Sequence, residues 1–189
     1  MKQYDIVIAV AGPTGLMAAN QLAKFSINFC ILDSNPGPTE QSRAIVVTAR
    51  SMEIYQQMGI SQVAIDEGRF ITELAIFIKG KERVSAVIGE FGKGKTDFSY
   101  MLAFEQSKNE KLLDKTLQTF NKEVPWNTEL LNIIQQENNL ELEVKHLGEG
   151  HQSTEKINTR YPIGCDGAKS LARQLLNFSF EGGTTFYCR

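Results

Sequence analysis

Cysteine is scarce in this sequence of 189 residues, and the three cysteines that it contains lie far apart, at Cys30, Cys165 and Cys188. No C-x-x-C pair occurs, so the sequence indicates neither a zinc site nor a framework of disulfides. We therefore expect no metal ligands, and we expect a reducing cytoplasm to be the compartment.

Long apolar runs and a strong net charge are also missing. No run approaches the roughly 18 apolar residues that a membrane helix needs, and the N-terminal MKQYDIVIAV predicts a first strand, not a signal peptide. The net charge is −2, and no basic block indicates nucleic-acid binding. The sequence thus predicts no membrane partner and no nucleic-acid partner.

What the sequence does contain is a β-α-β pattern at its N-terminus. Residues 4–10 and 28–33 are apolar runs typical of buried parallel strands, and residues 14–25 between them are rich in helix formers. The later elements that the pattern predicts are a helix over 48–58, strands over 71–79, 82–89 and 100–104, a helix opened by an S-x-x-E capping box at Ser107–Glu110, a three-stranded meander over 130–136, 140–147 and 155–165, and a final short helix. This order indicates an α/β fold.

The turn after the first strand, within AVAGPTGLMAAN over residues 9–20, has the pattern of a dinucleotide-binding loop. In G-x-G-x-x-G, Gly12 and Gly15 match the second and third positions, and Asp33 follows about 20 residues later, where an acid accepts hydrogen bonds from a ribose. An ordinary β-α turn with a solvated Asp33 would explain the same residues. The strand before the loop and the helix after it favour a cofactor site.

Val10 stands where that pattern has its first glycine. If the turn requires a positive φ at this position, the β-branched side chain is strained by about 1–3 kcal/mol. Alternatively, the strand continues by one residue and Ala11 makes the bend.

A second nucleotide motif, GEFGKGKT over residues 89–96, matches the P-loop pattern through Gly89, Gly94, Lys95 and Thr96. A P-loop needs a helix that begins at its Lys-Thr pair. The residues that follow, DFSYMLAF, are aromatic and typical of a strand. We therefore expect an exposed loop, and a P-loop NTPase is the weaker alternative.

Four separated stretches together resemble the FAD-dependent aromatic hydroxylases, the flavin monooxygenases similar to para-hydroxybenzoate hydroxylase, and most of all their pentachlorophenol-monooxygenase-like branch. They are VIAVAGPTGL…CILD, SRAIVVTARSMEIYQQMGI, MLAFEQSKNEKLLDKTL and CDGAKSLARQLLNFSFEG. The blocks have the family's order and spacing over essentially the whole chain. The resemblance implies a Rossmann-like FAD-binding domain, with a parallel sheet and a β-meander, and the beginning of a substrate-domain sheet.

The resemblance also implies which residues bind the cofactor. The implied set is Gly12, Pro13, Thr14 and Gly15 at the FAD pyrophosphate, Asp33 and Ser34 at the adenosine ribose, Arg43 at the FAD phosphates, Gln106 at the ribityl-phosphate region, and Asp166 with Gly167 at a ribityl hydroxyl. Each has a simpler alternative: Arg43 is also typical of a surface residue, and Asp166-Gly167 of a plain turn. No catalytic residue is identified.

For function, the resemblance implies that NADPH or NADH reduces FAD, that O2 adds to the flavin, and that the flavin hydroperoxide hydroxylates a small aromatic substrate. The alternative is a non-catalytic FAD- or nucleotide-binding fragment or subunit.

The implied domain plan has an FAD-binding domain in two pieces, 1–70 and 105–180, a start of the substrate-domain sheet over 71–104, and an entry to the family's C-terminal half over 181–189. The family's second FAD block, G-D-A-A-H, would follow residue 189. We therefore expect a truncated chain that is impaired or inactive alone, and whose exposed apolar surface promotes homo-oligomers.

Overall fold

The computed structural model describes residues 1–42, 44–89, 92–148 and 152–182. Arg43 and most of the predicted segment 181–189 lie outside these residues. The chain forms two compact units, one of Met1–Gly37 with the chain from Phe120 onward, the other of Pro38–Thr119. The predicted domain plan, with its different boundaries, stays a prediction.

The secondary-structure elements follow the chain in this order: β1 (Lys2–Ala9), α1 (Pro13–Lys24), β2 (Phe29–Leu32), β3 (Val46–Val47), α2 (Ala49–Gln57), α3 (Ser61–Glu67), β4 (Arg69–Ile71), β5 (Glu73–Ile78), β6 (Lys81–Val87), β7 (Met101–Ala103), α4 (Gln106–Gln118), β8 (Thr128–Gln135), β9 (Leu140–Leu147), β10 (Gln152–Gly164) and α5 (Leu171–Leu175). None of the helices in the described part of the chain is long and apolar enough to cross a membrane.

The first unit is built on a five-stranded sheet with the strand order β2-β1-β10-β9-β8. Strands β2, β1 and β10 are parallel, whereas β8, β9 and β10 form an antiparallel meander. The long strand β10 joins the two parts, because residues 152–159 pair with β9 and residues 157–164 pair with β1. The predicted α/β fold, a parallel sheet with a meander, is confirmed.

The core of this unit extends along the five-stranded sheet and includes α5. It is formed by apolar side chains of five strands and of α5: Val7, Ala9, Leu32, Leu130, Ile133, Leu142, Val144, Ile157 and Ala172. In addition, α1 contacts β1 and β2, and its residues Leu16, Ala19 and Ala23, spaced i, i+3 and i+7, are buried. Each large side chain buried in this way contributes about 1.5–3 kcal/mol, so the core fixes the strand ends that carry the loops.

The second unit contains a three-stranded antiparallel sheet, β3-β7-β4, the helices α2, α3 and α4, and the separate hairpin β5-β6. The hairpin turns at Lys79-Gly80, where φ is 53° and 74°, as expected of a two-residue turn. The sequence pattern predicted both hairpin strands but missed α3 and β4, which are only seven and three residues long.

Two predictions in this unit have different outcomes. The capping box is wrong: α4 begins at Gln106, its N-cap is Glu105, and Ser107 lies inside the helix. Glu110 is buried instead and accepts the Thr39 N–H, so its carboxylate binds a neighbouring loop. Residues 90 and 91 of the P-loop motif lie outside the described residues. In the described part, residues 92–95 form a turn and no helix lies between this turn and β7, as the aromatic sequence after the motif predicted.

Candidate cofactor site

The candidate site lies at the carboxyl ends of three adjacent parallel strands. The loop of residues 10–15 follows β1, Asp33 follows β2, and Asp166 follows β10. The Cys165 N–H donates to the Ala9 oxygen at 2.9 Å, which holds the first and the last of these segments side by side. Ligands of open α/β sheets bind at this edge, so the topology brings predicted residues from two distant sequence blocks together.

Val10 makes the turn out of β1. Its φ is 79°, in the left-handed region that glycine favours and that a β-branched residue rarely adopts. The turn is therefore made at Val10 and not at Ala11, and about 1–3 kcal/mol of backbone strain is stored there. The Val10 N–H donates to the Leu32 oxygen at 2.9 Å, which ties the turn to the end of β2.

The two glycines of the loop are needed for different reasons. A Cβ on Gly15 would lie 2.0 Å from the backbone oxygen of Val10, so only glycine fits where the helix passes the turn. A Cβ on Gly12 would meet nothing within 4 Å. Space is thus open at Gly12, where an incoming group can approach the backbone.

Helix α1 begins at this open space. Gly12 is its N-cap, no side chain caps it, no acidic residue occupies its first turn, and Pro13 stands at its start. The first N–H groups of a helix have no partner within the helix, and the helix dipole makes this end favourable for an anion. The amides of Thr14 and Gly15 are consequently the expected phosphate donors.

Asp33 is almost fully buried, with 3% of its surface exposed. One carboxylate oxygen, Oδ2, accepts the Ala11 N–H at 2.8 Å, and the other, Oδ1, accepts both the backbone N–H and the Nδ2 of Asn35 at 2.8 Å. A carboxylate has about four acceptor positions, so one position remains for a ribose hydroxyl. Ser34 is exposed beside it and lines the same cleft.

Asp166 carries a buried oxygen that lacks a partner. Its Oδ2 accepts the Ala172 N–H at 3.0 Å, whereas Oδ1 is buried without a hydrogen-bond partner among the described residues. Burial opposes the charged form, but the nearby Ser170 side chain and the Ala172 amide hold the pKa of Asp166 below its ordinary value. An ionised buried oxygen of this kind calls for a donor, and a cofactor hydroxyl would supply one.

The turn that presents Asp166 is held by its neighbours. Gly167 has a φ of 73°, which the turn requires. Ser170 caps α5 by accepting the Arg173 N–H at 3.0 Å, and the Arg173 guanidinium donates to the backbone oxygens of Ala168 and Phe178. Arg173 therefore holds the turn and the segment after α5.

The cleft between these loops has a volume of about 200 Å³. The sequence did not predict seven of its lining residues: Ala9, Leu32, Thr128, Glu129, Leu130, Lys169 and Leu171. Thr128, Glu129 and Leu130 line the cleft because the Thr128 N–H donates to the backbone carbonyl oxygen of Asp33 at 2.7 Å. This hydrogen bond holds the start of β8 beside the end of β2. No local sequence motif marks this long-range contact. Lys169 and Leu171, in contrast, belong to the CDGAKSLAR block, and their proximity to Asp166 in sequence could have indicated that they line the site.

Gln106 belongs to the second unit, at the start of α4. Its backbone N–H donates to the Ala44 oxygen at 3.0 Å, and its side-chain Nε2 donates to the Glu110 carboxylate at 2.8 Å. Arg43, the other phosphate-binding candidate outside the first unit, is not among the described residues.

The family of the chain follows from its similarity to known proteins. Residues 3–188 match the family described as FAD binding domain. The chain belongs to this family. FAD is the family's cofactor, as the four sequence blocks implied.

Two relatives of this FAD-binding domain are named as monooxygenases. It is 29% identical over 183 residues to rifampicin monooxygenase of Streptomyces venezuelae, covering 95% of this chain and 35% of the relative. It is 28% identical over 178 residues to pentachlorophenol 4-monooxygenase of Sphingobium chlorophenolicum, covering 94% of this chain and 32% of the relative. The resemblance to FAD-dependent aromatic hydroxylases is thereby confirmed, and the chain spans about a third of the length of these relatives.

The fold is shared with a solved structure, that of p-nitrophenol 4-monooxygenase from Pseudomonas putida. The TM-score is 0.87 at 21% identity, and the match covers 98% of this chain and 46% of that one. At this identity the likeness shows the Rossmann-like FAD-binding fold of the domain.

The residues of the first unit fit FAD. The open backbone at Gly12 suits a phosphate, and the unpartnered Oδ1 of Asp166 suits a hydroxyl donor. A pyrophosphate needs amide donors and a sugar needs carboxylate acceptors, and the described loop and the two aspartates provide both.

Proposed function

We propose that the protein is an NAD(P)H-dependent FAD monooxygenase that hydroxylates a small aromatic substrate with O2. The observation that carries the proposal is the open N-terminus of α1 at Gly12, flanked by the carboxylates of Asp33 and Asp166. The names of the relatives, which are monooxygenases of pentachlorophenol and rifampicin, support the aromatic substrate class.

The proposed roles of the chain's residues follow from their positions. The residues of the loop, Gly12, Pro13, Thr14 and Gly15, hold the FAD pyrophosphate by backbone amides, with no side chain in the way. Asp33 and Ser34 accept and donate hydrogen bonds at the adenosine ribose.

The other proposed FAD contacts come from two places in the chain. In the first unit, Asp166 accepts a ribityl hydroxyl at its unpartnered oxygen, and Gly167 shapes the turn. Arg43 and Gln106 are proposed at the FAD phosphates and the ribityl-phosphate region, which follows from the family resemblance.

When bound, FAD supplies the redox chemistry: it takes a hydride from NADPH or NADH and activates O2 for transfer to the aromatic ring. The protein's contribution is to bind the cofactor, orient it and exclude water. In the first unit, the ionised Asp166 and the anion-binding N-terminus of α1 bind and orient the cofactor.

Two further parts of the proposal concern the state of the protein. Scattered cysteines support the cytoplasm as the compartment. Self-association is proposed through the hairpin β5-β6, which exposes apolar side chains: Leu74, Ile76, Phe77, Ile78, Val84 and Val87. Sedimentation of the purified chain measures this, and a monodisperse monomer at high concentration would contradict it.

Two measurements on the purified chain test the function. Titration of FAD, followed by quenching of flavin fluorescence, should show saturable binding. Incubation with NADPH or NADH, an aromatic substrate panel and isotopically labelled O2 should give little substrate-dependent NAD(P)H oxidation and little labelled product, as expected of a chain that is impaired or inactive alone; fast hydroxylation with stoichiometric NAD(P)H oxidation would contradict that expectation. FAD binding with slow formation of labelled product supports an impaired monooxygenase, FAD binding with no labelled product favours the non-catalytic FAD-binding subunit, and absence of FAD binding contradicts both.

A further inference from the structure

We propose that Asp33 is a positioning residue of this nucleotide site: its carboxylate clamps the strained Val10 turn through the Ala11 amide, so that it acts on nucleotide binding independently of any ribose contact. The inference rests on the proposed FAD site and deepens it. Its evidence is the positive φ of Val10 and the hydrogen bond between the Ala11 nitrogen and Asp33 Oδ2.

The turn needs a clamp because Val10 is in an unfavourable conformation. With φ at 79°, Val10 would relax toward a negative φ if nothing held it. Relaxation would rotate the peptide between Val10 and Ala11 and move the Val10 oxygen, which lies beside Gly15 in the first turn of α1. The amides that receive the phosphate begin at that turn, so the Val10 conformation and the anion site are mechanically linked.

Asp33 is placed to prevent this relaxation. Its Oδ2 accepts the Ala11 N–H at 2.8 Å in a nearly dry environment, where a hydrogen bond to a charged acceptor is strong. The carboxylate is itself fixed, since Asn35 donates to Oδ1 from both its backbone and its side chain at 2.8 Å. The backbone carbonyl oxygen of Asp33 also accepts the Thr128 N–H at 2.7 Å, which anchors the residue to β8.

No neutral residue of the same shape can replace this carboxylate. An asparagine has one acceptor oxygen and one donor nitrogen. If its oxygen accepts the Ala11 N–H, its NH2 group faces the donors of Asn35. If its oxygen accepts from Asn35, its NH2 group faces the Ala11 N–H. Either orientation places two N–H donors against each other. Asp33→Asn therefore breaks the clamp while it conserves the size of the side chain.

The first test is a double-mutant cycle on the protein without nucleotide. The variants Asp33→Asn, Val10→Gly and the double variant are unfolded in urea beside the natural chain. Because glycine adopts a positive φ without strain, Asp33→Asn should raise the unfolding equilibrium constant about tenfold more in the Val10 background than in the Val10→Gly background. The control, Asn35→Ala, removes one donor to Oδ1 but leaves the Ala11 bond, and should show no coupling with Val10→Gly.

The second test separates the clamp from a ribose contact. The four proteins are titrated with ADP and with 2′,3′-dideoxy-ADP, which lacks both ribose hydroxyls. If Asp33 clamps the loop, Asp33→Asn weakens binding of the dideoxy ligand by about tenfold, and Val10→Gly restores most of that loss. If Asp33 serves only the ribose, the dideoxy ligand binds equally to the natural chain and to Asp33→Asn.

The outcomes are decisive in both directions. Coupling in the cycle together with loss of dideoxy-ADP binding supports the clamp. Additive effects in the cycle, an unaffected dideoxy ligand, or a failure of Val10→Gly to rescue Asp33→Asn each overturn it. A natural chain that binds neither FAD nor ADP contradicts the proposed function, and the cycle without nucleotide still decides whether the turn is clamped.

Discussion

The backbone oxygen of Val10 occupies the space that a side chain at Gly15 would need, because an added Cβ would lie only 2.0 Å from it. The backbone at the first position of the loop thus makes the glycine at the third position indispensable. The two positions belong to one tight contact between the end of β1 and the first turn of α1.

Gly15→Ala should destabilise the protein by about 1–3 kcal/mol, because backbone must move to admit the methyl group. Gly12→Ala is the matched variant: its Cβ meets nothing within 4 Å, and its φ of −71° suits any residue. It should leave the free energy of unfolding within about 0.5 kcal/mol but weaken FAD binding, since the methyl group enters the space for the phosphate. Urea unfolding and FAD titration measure the two effects, and equal destabilisation by both variants would refute the distinction.

Val10→Gly should raise FAD affinity by less than about tenfold, because much of the roughly 1–3 kcal/mol of strain is already present in the free chain and its removal stabilises the free and bound states alike, and about 1 kcal/mol of glycine flexibility offsets part of the remainder. The measurement is a fluorescence titration of FAD into both proteins. The control Val46→Gly removes an exposed β-branched residue elsewhere and should leave FAD affinity unchanged. Equal affinity of Val10→Gly and the natural chain would show that the strain does not reach the binding site.

Asp166 should contribute to the pH dependence of stability. Its pKa is lowered in the folded protein, so its stabilising contribution is present above the unfolded value of about 3.9 and is lost as the pH falls through the folded pKa. When the free energy of unfolding is measured in urea at a series of pH values, Asp166→Asn should show a smaller loss of stability at acid pH than the natural chain. The same variant should weaken FAD binding at neutral pH. The exposed Asp97 provides the control: if Asp97→Asn changes the acid limb as much, Asp166 is not its source.

Glu110→Ala should destabilise the protein by about 1–3 kcal/mol, because it leaves the Thr39 N–H and the Gln106 amide without their acceptor. Hydrogen exchange at the Thr39 amide should accelerate along with the loss of stability in urea. Glu105→Ala tests the nearby N-cap of α4, whose exposed side chain makes no cap bond, and should have little effect. A Thr39 amide that exchanges at its original rate in Glu110→Ala would contradict the assigned contact.

Much of the fold was predictable because its signals are local. The apolar run of β1, the helix formers of α1 and the alternation of Leu142 and Val144 in β9 each follow from the periodicity of one element. Short elements such as α3 carry too few residues for a period. The capping-box prediction failed at Ser107 because the Glu110 carboxylate serves a loop distant in sequence, which no local pattern records.

For the site, the sequence by itself determined the chemistry that is available: a glycine loop at Gly12 and Gly15, and acids at Asp33 and Asp166. Only the tertiary structure decided that Val10 takes the positive φ, that Asp33 binds the Ala11 amide, and that one oxygen of Asp166 lies buried without a partner. The physical reason is distance along the chain. Parallel strand pairing brings residues more than a hundred positions apart to one sheet edge, and backbone angles and hydrogen-bond partners are set there by packing that no short stretch of sequence specifies.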